Sequence, residues 1–157
     1  MYQLDKPDNV VEILEDSVAK HPKRPFLGMK DTSGDYRWIT YADFGKRVDN
    51  LRSGLASLGV AKDDAVGIIS NNSIDWAVCY FATLGREARF VPMYESELLS
   101  VWRYIIADGD IKVLFVAKKA IYDKVKDLVG SGKLEKIILM EGEGNDTLAD
   151  LEKKGAQ

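Results

Sequence analysis

One cysteine and one histidine among 157 residues close several routes at once. Cys79 has no second thiol to pair with, so no internal disulfide can form and a reducing, cytoplasmic setting is expected. A single Cys and a single His are also too few ligands for a zinc site. Cys79 lies in the apolar run Trp76-Ala77-Val78-Cys79-Tyr80-Phe81, which reads as the environment of a small buried hydrophobe and not of a reactive thiol. His21 stands directly before Pro22 at the end of the first helical pattern. With no Ser or Cys nucleophile motif beside it, helix termination outweighs catalysis. No apolar run approaches the ~20 residues of a membrane span, and residues 1–5 lack the basic and apolar regions of a signal peptide, so a soluble protein is expected. Basic surplus is missing as well: 22 Lys plus Arg against 25 Asp plus Glu give a net charge of -3. That balance speaks against a nucleic-acid binder. It leaves room for a small anion, which backbone N–H groups can hold without net charge.

The common phosphate, dinucleotide and hydrolase signatures (G-x-x-x-x-G-K-[ST], G-x-G-x-x-G, G-x-S-x-G) are absent too. Asp31-Thr32-Ser33-Gly34 looks superficially like part of a phosphate loop, but it lies between two short alternating runs with no helix to follow. It reads as a hairpin tip. In Gly142-Glu143-Gly144, glutamates beside the glycines would repel phosphate.

What is present is ordinary globular material, 46% hydrophobic and 30% charged, of a length that suits one domain or one lobe of a larger one. Asp8 or Asn9 can cap a first helix with Val10, Val11, Ile13, Leu14 and Val18 as its stripe, ending near His21-Pro22. Strand-like runs at 26–30 and 36–39 flank the loop 31–35. Thr40 then caps a helix whose apolar residues Tyr41, Phe44, Val48, Leu51, Leu55 and Leu58 follow a 3.6-residue period, with Gly59 as its stop.

From there the pattern alternates. The run 65–69 is continuously apolar, as in strands buried on both faces of a parallel sheet. A helix capped by Asn72 or Ser73 follows, then a strand at 89–91 ended by Pro92, a helix opening at Ser96 or Glu97, and a strand at 112–116. A helix at 120–129, with Ile121, Val125 and Leu128 inward, leads to a fourth strand at 136–140. The polar tail 141–146 precedes a short helix at 147–154. The expected fold is α/β: an open, mainly parallel sheet with helices on both faces, preceded by a helix and a β-hairpin. Ligands of such sheets sit beyond the carboxyl ends of the strands. That singles out the loops Ser70-Asn71-Asn72, Pro92-Met93-Tyr94-Glu95 and Ala117-Lys118-Lys119. Each also has a plain structural role: helix caps, a strand end, and solvated lysines.

Taken together, several segments resemble the adenylate-forming (AMP-binding) family of acyl-CoA synthetases, luciferases and peptide-synthetase adenylation domains. Trp38-Ile39-Thr40-Tyr41-Ala42-Asp43-Phe44 is similar to the family's early (W/T)-x-(L/I)-(T/S)-Y-x-(E/D)-(L/F) signature, and Asp63-Asp64-Ala65-Val66-Gly67-Ile68 to its G-D-x-V-(A/G)-(I/L) strand entry. Ser70-Asn71-Asn72-Ser73-Ile74-Asp75-Trp76 resembles x-x-N-x-x-(E/D)-(W/F), in a form that long-chain acyl-CoA synthetases often show. The stretch 84–94 is similar to L-(K/R)-x-G-A-x-x-V-P-(L/I)-(N/Y/D), and the stretch 97–116 to E-(L/I)-x-x-(I/L)-(L/I)-x-D-(S/A)-x-x-(K/R)-(V/L). Two turns depart from the pattern: Arg86-Glu87-Ala88 stands for Gly-Ala, and Asp108-Gly109 for Asp-Ser.

The resemblance implies an N-terminal subdomain, residues 1–157, of a long-chain fatty-acid:CoA ligase. With ATP and Mg2+ the parent enzyme would form an acyl-adenylate and pass the acyl group to CoA. Its partners would be the fatty acid, ATP, CoA and the remainder of the same synthetase, with no nucleic acid. The family's (T/S)-(S/T)-G-(T/S)-(T/S)-G-x-P-K phosphate loop does not occur in the chain, so alone it is expected to be inactive and no catalytic residue carries over. Lys118 and Lys119 become candidates for the nucleotide end of CoA, and the loops at Asn72 and Tyr94 candidates for the substrate side. A stand-alone, non-catalytic interaction module is the alternative. Oligomeric state and acyl chain length stay open.

Overall fold

The computed structural model describes residues 7–157; residues 1–6, which include the stretch without leader-like features, lie outside that range. Asn9, not Asp8, caps α1 (Val10–Lys20), its side chain accepting from the N–H groups of Val11 and Glu12, and His21 is the C-cap. The hairpin of β1 (Pro25–Lys30) and β2 (Tyr36–Thr40) follows as expected. Thr40 ends β2 and caps α2 (Tyr41–Ser57), its hydroxyl accepting from Asp43 N–H at 3.1 Å and donating to the Asp43 carboxylate at 2.7 Å. Replacing Thr40 by alanine leaves that N–H unpaired at the helix start. A loss of about 1 kcal/mol is expected from denaturant unfolding.

The larger sheet is parallel throughout and runs in the order β4-β3-β5-β6, with β3 (Ala65–Ile69), β4 (Arg89–Met93), β5 (Ile111–Val116) and β6 (Lys136–Leu139). Chain direction across it reverses once. From β3 the chain moves to one side through α3 (Ile74–Leu84). It then crosses back over β3 through α4 (Leu99–Asp108) and continues outward through α5 (Lys119–Val125). Right-handed crossovers of opposite sense put their helices on opposite faces, and the core divides accordingly. Val78, Cys79 and Ala82 of α3 pack with Phe44, Leu51 and Leu55 of α2 and with Val66 and Ile68 of β3. On the other face Trp102 and Ile106 of α4 meet Ile121 and Val125 of α5, with Ala65 and Ile69 of β3. Successive β3 residues thus face opposite cores, and all five are buried, which is why the run lacks polar alternation. Cys79 is fully buried, and desolvation raises its thiol pKa well above the ordinary value.

Most boundaries shift from the sequence expectation by at most one residue, and three shift further. Pro92 lies inside β4 and does not end it; β4 is an edge strand, where half of the N–H groups point away from the ladder and a proline is tolerated. α4 starts after Leu98, three residues later than Ser96, and has no side-chain cap. The helix expected at 120–129 tightens after Val125 into a single 3-10 turn, Lys126–Leu128, leaving Leu128 half-buried.

The last helix, α6 (Leu148–Gly155), is capped by Thr147 and lies against α2. Contact there is very close: a Cβ on Gly54 would sit 2.6 Å from the Leu151 carbonyl oxygen, and one on Gly155 would be 1.9 Å from that of Asn50. Arg47 of α2 binds Glu152 of α6 through both Nε and a terminal nitrogen, at 2.7–3.2 Å, and reaches Asp75 of α3 at 2.7 Å. Burial alone would lower the Arg47 pKa, but the two carboxylates outweigh it and the guanidinium stays charged. No helix among the described residues is long and apolar enough to cross a membrane.

Candidate functional site

The connection leaving β3 and the one leaving β5 run to opposite sides, so their carboxyl ends flank the switch point of the sheet. That is where open α/β sheets bind ligands, because adjacent loops diverge there and leave a crevice. A cleft of about 290 Å³ occupies this position, lined by Ser70, Asn71, Asn72 and Ser73 after β3, Glu95 after β4, Lys118 after β5 and Glu141 after β6, together with Met29 and Asp75. A second, smaller cleft of about 190 Å³ shares Ser70 and Asn72 and extends along edge strand β4 past Trp76, Pro92, Met93 and Tyr94.

Local structure explains each position. Ser73 caps α3 by accepting from Trp76 N–H at 3.0 Å, which turns the chain sharply after Asn72. The segment after β4 is held by Trp102, whose indole N–H donates to the Tyr94 carbonyl at 3.0 Å. This bond draws residues 94–97 into a turn, which is why α4 begins late. Tyr94 itself is 72% exposed. Glu95 points back across the strand ends: one carboxylate oxygen accepts from Asn71 N–H at 2.9 Å and the other from the Lys118 ammonium at 2.7 Å. Glu141 reaches from the far side and accepts from Lys119 N–H at 2.7 Å. Two carboxylates therefore tie together the loops after all four strands.

Charge in the crevice is not what an anion site would carry unaided. Among the described residues, Asp75, Glu95 and Glu141 line it against the single ammonium of Lys118. Burial by itself would raise the Glu95 pKa. Lys118 and the Asn71 N–H outweigh it and hold the carboxylate below its usual range, and Glu95 in turn raises Lys118.

Of the positions singled out in the sequence, Asn72 and Lys118 meet in the main crevice, and Tyr94 lines the adjoining one. Lys119 does not join them. It begins α5, where its ammonium pairs with Asp123 and lies 4.9 Å from the Tyr122 ring. Glu95 belongs to a loop the sequence singles out, but there only Tyr94 stands as a candidate: an acidic residue before a helix is an ordinary strand-to-helix feature, and the two partners of Glu95 lie 24 and 23 residues away. Among the described residues no group of three or more His, Cys, Asp or Glu could hold a metal ion.

A family model described as AMP-binding enzyme matches residues 14–157. The chain is 29% identical over 146 residues to long chain acyl-CoA synthetase 3 of Arabidopsis thaliana, covering 88% of this chain and 22% of that protein. Among solved structures, a long-chain-fatty-acid-CoA ligase from Archaeoglobus fulgidus superposes with a TM-score of 0.82 at 20% identity, over 97% of this chain and 31% of that one. An anthranilate CoA ligase in complex with anthranoyl-AMP gives the same TM-score at 22% identity, over 98% of this chain and 29% of that one. The chain spans about a fifth of the length of the curated relatives it matches.

Proposed function

Because the chain belongs to the AMP-binding enzyme family, we propose that it is the leading lobe of an ATP-dependent, AMP-forming ligase that activates a long-chain fatty acid as its acyl-adenylate and transfers the acyl group to CoA. Support for the acid comes from a relative that is a long chain acyl-CoA synthetase and from the long-chain form of the segment 70–76. The observation that carries the reading is the convergence of Asn72, which lies in a family-like segment, with Glu95 and Lys118, from the loops after the neighbouring strands, on one crevice at the switch point. In this reading Asn72 and Tyr94 face the acid and adenylate, while Lys118 and Lys119 lie toward the nucleotide end of CoA. A cytoplasmic setting, with the remainder of the synthetase as partner, belongs to the same proposal.

The residues present do not by themselves fit ATP with Mg2+. A polyphosphate in the crevice would meet three carboxylates and one ammonium that is already paired, and the two carboxylates that span the loops are both engaged by N–H donors. Donors preorganised for the phosphates are the largest catalytic contribution such a reaction calls for, and the chain supplies no loop of them. Its own residues hold the crevice walls in place; they do not make the site complete. Calorimetric titration of ATP–Mg2+ into the purified chain should therefore give no saturable heat, and mixing it with fatty acid, ATP and CoA should give no acyl-CoA. Micromolar ATP binding would sink the reading of the chain as one wall of a shared site.

A further inference from the structure

The two outer edges of the parallel sheet end differently. Along β6 the chain closes its own edge: Leu139 N–H donates to the Asp146 carbonyl at 2.9 Å, Leu139 bridges to Thr147, and Lys136 pairs with Asp146 at 2.6 Å. Along β4 no other described strand does so. There Arg89 N–H donates to the Asp64 carbonyl, and the Met93 carbonyl accepts from Ser70 N–H. The odd-numbered residues of β4 thus turn their backbone groups to β3, and those of Phe90 and Pro92 point outward. Proline has no N–H to offer, so this edge is a poor template for an added strand.

Side chains carry what the backbone lacks. Trp76 and Tyr80 of α3 stack at 5.7 Å, and the Phe90 ring meets both edge-on, at 5.2 and 5.4 Å. All three are half-buried. Pro92 and Tyr94, both exposed, share a cleft with Trp76 and continue the row. Leu98, at the start of α4, is 71% exposed. No residue from Phe90 to Tyr94 is charged, and Arg89 turns its guanidinium away to the Asp63 and Gly109 carbonyls. An open strip that is aromatic and uncharged has the composition of an interface core, not of a solvated surface.

The lengths of the relatives name the occupant. The Archaeoglobus fulgidus ligase matches 97% of this chain with 31% of its own, so the greater part of that ligase lies outside the matched lobe and has to meet it somewhere. We propose that the β4 edge is the face on which the remainder of the same polypeptide docks, side chain to side chain, burying the strip from Trp76 to Leu98. This rests on the reading of the chain as a leading lobe, but not on which acid or nucleotide the ligase handles.

Hydroxyl-radical footprinting, read by mass spectrometry, compares this chain with the complete polypeptide of which it is the proposed lobe. Trp76, Tyr80 and Leu98 should be oxidised in the isolated chain and react severalfold more slowly in the complete polypeptide. Pro92→Glu sets a charge on the strip at an exposed position. It should move the melting temperature of the isolated chain by no more than about 2 °C. In the complete polypeptide the same charge is buried without a partner, and a drop of about 5 °C or more is expected. Should P92E fold poorly, Leu98→Asp repeats the comparison, because its carboxylate supplies the side-chain cap that α4 lacks. Equal footprints in the two proteins, or a variant loss of the same size in both, overturns the docking face. So does a strip already protected in the isolated chain with the mass of a dimer in sedimentation, which gives the face to a second copy. Acyl-CoA synthesis by the complete polypeptide is read separately. Synthesis with an unprotected strip overturns this inference alone, and a protected strip without synthesis overturns the ligase reading alone.

Discussion

Replacing Trp102 with alanine is expected to destabilise the chain by about 3–5 kcal/mol, the cost of emptying a large aromatic site in a packed core. Trp102 is 1% exposed and belongs to the core beneath α4 and α5, with Ile106, Ile121 and Val125. Its indole N–H also holds the Tyr94 carbonyl, so the same change frees the turn from which Glu95 reaches across the crevice. Trp102→Phe divides the two contributions. It keeps most of the apolar volume and removes only the donor, for an expected loss of about 1–2 kcal/mol. Denaturant unfolding of both variants measures the difference, and the Asn71 amide signal reports whether Glu95 has lost its place. If W102A unfolds within about 1 kcal/mol of the unchanged chain, Trp102 is not the anchor described here.

The second large effect is expected at Gly54. Its missing side chain is what lets α6 lie against α2: a Cβ there would fall 2.6 Å from a backbone oxygen and 2.8 Å from the Leu151 side chain. A carbonyl oxygen on a helix cannot swing aside as the end of a side chain can. Gly54→Leu must therefore push α6 off, exposing Leu148 and Leu151 and pulling Glu152 away from Arg47. Each buried leucine contributes about 1.5–3 kcal/mol, while leucine for glycine in a helix returns a little under 1 kcal/mol. A net loss of about 2–5 kcal/mol follows, with fast amide exchange confined to α6 if that helix undocks before the rest unfolds. A G54L protein with α6 still protected and its midpoint unchanged would show that the close approach is not needed.

Much of this fold is legible residue by residue. The unbroken apolar run 65–69 becomes a strand buried on both faces, the stripe from Phe44 to Leu55 becomes the inner face of α2, and Thr40 and Gly59 bound that helix as capping chemistry requires. These signals are local: they depend on the period of the pattern and on side chains a few positions apart. The misread boundaries have non-local causes. Proline inside β4 is tolerated because no other described strand pairs with that strand's outer edge, and α4 starts late because Trp102 holds Tyr94 in a turn. The sequence alone tells neither.

The candidate site divides in the same way. Asn72, Tyr94 and Lys118 could be named in advance, since loops at the carboxyl ends of parallel strands are the general place for ligands. Which of them share a crevice could not. That depends on the order β4-β3-β5-β6, which sets the Asn72 and Lys118 loops side by side and leaves Lys119 on the helix with Asp123. The role of Glu95 within its loop is illegible for the same reason, since it lies in partners that only the sheet order brings within 3 Å.

The sequence by itself therefore determined the class of fold, the elements, the family resemblance and the lack of a phosphate loop, because hydrophobic period, caps and motifs are written in neighbouring residues. Tertiary structure alone decided the strand order, the pairing of Lys118 with Glu95 and the seating of α6 on Gly54. Those follow from which distant surfaces meet, and contact between distant surfaces is settled by packing and charge in space.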